Sequence, residues 1–132
     1  MINRKKVIVW VVALTVAFSA GFFPRYLEAR KLRQEAAAAR EAANFARLRD
    51  LMGLAYLEVT QNNYGVAGRH SSQFFDGAQQ LVQTADPAGK QVLQEILASR
   101  DAITAGLAKA DPTVVAVIQD LLRKLYENAS GP

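Results

Sequence analysis

Few side chains in this chain can do chemistry. Its 132 residues include one histidine and no cysteine, which excludes disulfides, thiolate zinc sites and cysteine nucleophiles. His70 stands between Arg69 and the pair Ser71-Ser72. Neither serine makes a nucleophile-base pair with it, and no carboxylate at helical spacing orients the ring; the nearest, Asp76, lies six residues on. Metal binding needs convergent ligands, and the sequence has no His-x-x-x-His, Glu-x-x-His or Cys pair. Gly65-Val66-Ala67-Gly68 lacks the Lys-Ser/Thr end and the preceding strand of a phosphate loop. Glu95, Asp101, Asp120 and Glu127 are scattered as on solvated helix faces. The expectation is therefore no catalytic residue, no metal and no cofactor: a non-enzymatic protein.

What remains is a polar-aromatic patch, Gln61-Asn62-Asn63-Tyr64, then Arg69-His70 and Gln73-Phe74-Phe75-Asp76. Aromatic residues and arginine commonly carry interface energy, so Tyr64, Arg69, His70 and Phe75 are the candidate protein-interaction surface. Gly65 and Gly68 are expected to let neighbouring helices approach closely. The alternative reading of the same region is a membrane-tethered helical module that binds a small ligand or lipid, in a cavity near Phe45, Met52, Phe74 and Ile103.

The elements that carry these residues are legible from charge and hydropathy. Up to Arg49 the chain has ten basic and three acidic residues, net +7; the rest has six and nine, net −3. A nucleic-acid binder concentrates its cations on the folded domain, so nucleic acid is excluded as a partner. The cations flank residues 7–23, a run of 17 with no charge. At helical rise this run is about 26 Å long, enough to span a bilayer core, and the flanking cations suit phospholipid headgroups. Trp10 near one end and Phe22-Phe23 at the other suit the two interfaces.

A cleaved signal peptide competes with this anchor. Ala17-Phe18-Ser19 and Ser19-Ala20-Gly21 are poor cleavage sites, and Phe22-Phe23-Pro24 prolongs the apolar run. The segment therefore reads as a retained signal anchor. Lys/Arg counts alone favour a cytoplasmic C-terminus, with Arg25, Arg30, Lys31, Arg33 and Arg40 against Arg4, Lys5 and Lys6. The compact N-terminal cluster would then have to cross with its amino group, so the orientation taken is N-terminus cytoplasmic. That puts the domain in the periplasm and the anchor in the inner membrane of a Gram-negative source. Ala13, Ala17 and Gly21 repeat at four-residue spacing, the small-xxx-small pattern of self-associating membrane helices.

Pro24 is expected to end or kink the membrane helix. Beyond it, residues 24–44 are strong helix formers and read as a stalk, about 30 Å long at helical rise. Ala29, Leu32, Ala36, Ala39, Ala43 and Ala46 follow three-four spacing, which makes either a narrow coiled-coil seam, weak alone because alanine buries little, an exposed spacer, or a face packed against a partner protein. Residues 45–128 read as a helical bundle. Its first stripe is Phe45, Leu48, Met52, Ala55 and Val59; its second is Ala67, Ser71, Phe74, Ala78, Leu81 and Ala85. Asn62-Asn63 separates the two and can cap the second helix. Asp86-Pro87 and Asp111-Pro112 are helix-start signals, predicting helices over 87–110 and 112–128. The fold class is all-α: one N-terminal transmembrane helix after a basic tail (1–6), a stalk, a small antiparallel helical-hairpin bundle, and a C-terminal tail (129–132).

Met52-Gly53-Leu54-Ala55-Tyr56 resembles the Leu-Gly-x-x-Tyr of a tetratricopeptide first helix, and Asn63-Tyr64-Gly65-Val66-Ala67 is similar to the turn into its second. Ser71 replaces a large apolar residue of that pattern, and residues 91–126 do not repeat it. The resemblance implies a helical-hairpin interaction surface. The expected partners are thus the lipid bilayer and a protein, either a second protein or copies of this chain, in an accessory or assembly subunit.

Overall fold

The computed structural model describes residues 3–129, without the side chains of Phe22, Asn128 and Ala129. The start of the basic tail, residues 130–132 and the Phe22 ring expected at an interface lie outside this description. The described chain is all-helical: α1 Arg4–Thr60, α2 Tyr64–Leu81, α3 Pro87–Leu97, α4 Arg100–Ala108 and α5 Val114–Ala129. Its contacts divide it into two compact units after Ala39.

From Arg4 onward the first unit is helix, and it contains the one helical segment among the described residues that is long and apolar enough to cross a membrane. The two hydroxyls of residues 7–21 are satisfied inside the helix: Thr15 donates to the Val11 carbonyl at 2.7 Å and Ser19 to the Thr15 carbonyl at 2.8 Å. Neither hydroxyl is therefore left as an unmet donor, as an apolar environment demands. Of the two outcomes expected at Pro24, an end or a kink, the end does not occur: α1 runs through it. Only the bond that its missing N–H would give to the Ala20 carbonyl is lost, and strong helix formers follow at once.

In the second unit the later part of α1 supplies Leu48, Met52, Ala55 and Val59 to a core shared with the other helices. α2 packs on α3 and α4, and α5 on the same two. Ala67, Ser71, Phe74, Ala78, Leu81 and Ala85 are all buried, so the three-four stripe is the packing face. Phe75 is buried too, beside it on the helix. α2 therefore covers more than one stripe, because α3, α4 and the Leu48 side chain of α1 all reach it.

Helix ends follow local chemistry. Asn62 and Ala110 have φ of 63° and 52°, left-handed residues that close α1 and α4. In each case the next amide reaches back five residues, Asn63 to the Glu58 carbonyl at 2.8 Å and Asp111 to Gly106 at 2.9 Å. Asn63 does not cap α2 with its side chain, which donates to Glu58 instead. Asp86 does cap α3, accepting from the Gly89 amide at 2.6 Å with Pro87 in the first turn.

The helix expected over 87–110 is two helices. The ladder breaks at Ala98 and Ser99, where the Ser99 amide bonds three residues back, to Ile96, at 3.0 Å. The last helix starts at Val114, not Pro112, because the amides of Val114, Val115 and Ala116 each bond three residues back, a 3₁₀ first turn; ahead of it Asp111 accepts from the Thr113 amide at 2.9 Å and hydroxyl at 2.7 Å. These bonds hold its pKa below the usual carboxylate value, the Thr113 amide contributing most.

Candidate functional site

Tyr64 opens α2 at its first residue, and Arg69 follows on the same helix. Both line a groove of about 670 Å³ between α2 and α4, closed on the α4 side by Thr104, Leu107 and Ala108. Gly65 and Gly68 lie along it, and a Cβ built on either meets nothing within 4 Å. Their role is thus the reverse of the one expected: they leave a channel open and do not admit a neighbouring helix. Close approach falls to other glycines. A Cβ on Gly106 would lie 2.9 Å from Val114 Cγ2, and one on Gly77 3.0 Å from Leu48 Cδ2. Sequence spacing marks all these glycines alike.

The floor of the groove holds Ser71, 2% exposed, whose Oγ has no hydrogen-bond partner among the described residues. His70 is half-buried and does not line the groove, so the four candidate residues do not converge. Phe75 leaves the candidate surface altogether. It is 1% exposed, its ring edge-on to Phe74 at 5.0 Å between centroids. Over it lies the Arg100 guanidinium, 5.9 Å from the ring centroid and paired with Asp76 at 3.0 Å. Sequence reading missed Arg100, which becomes the half-buried polar cover of that aromatic.

A second groove, about 460 Å³, runs between α1 and α2 and is polar at its rim, with Asn44, Arg47, Gln73, Asp76 and Gln80 over Leu48 and Leu51. Met52, Phe74 and Ile103, around which a ligand cavity was expected, are packed in the core and line neither groove. Leu54, Leu57, Val117 and Tyr126 are the large apolar side chains exposed on this unit among the described residues. Arg49 lies 5.3 Å from the Tyr126 ring centroid.

In the first unit, Ala13 and Ala17 lie in a shallow apolar hollow with Ala20, edged by Ile8, Val9, Val12 and Val16. Gly21 is not part of it, and a Cβ added there meets nothing within 4 Å. The large side chains edging the hollow are exposed, Val9 at 66% and Val16 at 62%.

Among the described residues no group of three or more His, Cys, Asp or Glu side chains is placed to hold a metal ion. Comparison with protein-family models, with characterised proteins and with solved structures finds no match, the tetratricopeptide family included.

Proposed function

We propose that this protein is a single-pass, non-enzymatic membrane protein whose helical domain binds other protein chains as an accessory or assembly subunit. The observation that carries the reading is the exposure of residues 7–21 on α1. Trp10, Val9, Leu14 and Val16 are each more than 60% exposed on a segment whose polar hydroxyls are bonded internally. At about 25 cal/mol per Å² such a surface is costly in water and costs nothing in lipid. Lys and Arg on both flanks supply headgroup contacts, and the compact N-terminal cluster favours a cytoplasmic N-terminus with the domain on the far side of the inner membrane.

The helices after α1 pack as an antiparallel bundle whose open face is the α2/α4 groove, with Tyr64 and Arg69 at its edge as contacts for a partner chain. Photo-crosslinking from Tyr64 and Arg69 positions in native membranes, read by mass spectrometry, tests this role. Adducts of defined mass at physiological expression support it; recovery of monomer alone contradicts it.

A further inference from the structure

Residues 25–40 of α1 are exposed throughout, Leu32 at 64%, and make a helix face that no other described residue covers. Their charges are not random along that face. With Ala29 and Ala36 at the a positions and Leu32 and Ala39 at d, Glu28 and Glu35 fall at g while Arg33 and Arg40 fall at e. No ion pair within the chain engages these four among the described residues.

In a parallel, in-register pair of helices a g residue meets the partner's e residue five positions further on. Glu28 then faces the second copy's Arg33, and Glu35 its Arg40, twice each by symmetry. An antiparallel pair sets g against g and e against e, placing Glu against Glu and Arg against Arg. The charge order therefore selects one orientation, the one available to two chains anchored in the same membrane. The seam has physical ends: Arg25 occupies the preceding d position beside Pro24, and Asp50 the a position after Ala43, where two carboxylates would meet.

We propose that the occupant of this face is a second copy of the chain, forming a parallel, in-register coiled-coil dimer over residues 28–43. The proposal deepens the membrane-anchored reading and rests on it, since alanine at a and d buries little surface. Confinement in the bilayer raises the local concentration of stalks, and close approach through Ala13 and Ala17 adds to it.

The absence of native cysteine makes the test direct. Full-length Ala36→Cys (position a) and Gln34→Cys (position f, opposite face) are oxidised in native membranes and run on non-reducing gels. Ala36→Cys should give the disulfide dimer, and Gln34→Cys about tenfold less. In the Ala36→Cys background, Arg33→Glu with Arg40→Glu should lower the dimer about tenfold, the ~1.4 kcal/mol equivalent of converting four ion pairs of ordinary surface strength to repulsion. Adding Glu28→Arg and Glu35→Arg should restore it. Equal crosslinking at both positions, crosslinking at neither, an adduct with a different protein, or failure of the charge swap to restore the dimer overturns the proposal. An alkaline wash of the same membranes separates the two readings: chain retained in the pellet without the Ala36→Cys dimer sinks the dimer alone, whereas chain released to the supernatant sinks the anchor as well.

Discussion

Glycine positions show how far a residue's type falls short of its role. Gly65, Gly68 and Gly106 all sit in helices, where alanine is favoured by about 1 kcal/mol. Around Gly65 there is open groove, so Gly65→Ala should stabilise the domain by up to ~1 kcal/mol. Around Gly106 the added methyl meets the β-branched Val114, itself 2% exposed, and overpacking there costs about 1–3 kcal/mol. Gly106→Ala should therefore be the less stable of the two by about 2 kcal/mol, measured by urea denaturation of the detergent-solubilised chain. Equal stabilities would show that α4 and α5 are not in the close contact described. Phe75 teaches the same lesson. Its place in an aromatic-polar string suggested a surface anchor, and only the number of helices around α2 determines that it is core.

At the scale of elements, three-four spacing marked the buried face of α2 except for Phe75, and Asp86-Pro87 marked the start of α3, because both signals are local. Two other boundaries were not legible. Residues 98 and 99 are an alanine and a serine, which suit a helix interior or a turn equally, so the break between α3 and α4 is decided by packing. Pro24 costs one hydrogen bond, which the strong helix formers after it outweigh. At Asp111-Pro112 the carboxylate bonds the Thr113 amide as an N-cap does, but the first turn is 3₁₀ and α5 begins two residues later than Pro112. This turn makes a pH prediction. The folded pKa of Asp111 is depressed, so its contribution is present above the unfolded value near 3.9 and is lost as pH falls through the lower folded value. Amide resonances of Thr113 and Val114 should hold their positions above about pH 5 and shift only below the normal aspartate range. In Asp111→Asn that low-pH shift should vanish, and its persistence would assign it elsewhere. No comparable signal marked the α2/α4 groove, because an open channel is defined by side chains that are missing, and Thr104 and Ala108 join it from another helix.

For the molecule as a whole, the division of charge is the feature most directly readable: a cationic first third around an uncharged apolar run, and a mildly acidic helical remainder. The account of function stands on where that run resides. Alkaline carbonate extraction of membranes from cells producing the untagged full-length chain at native level, with the N-terminus identified by mass spectrometry, tests this most directly. Polypeptide beginning at or next to Met1 should stay in the membrane pellet. The same intact polypeptide in the supernatant, monomeric and soluble without detergent, would contradict it.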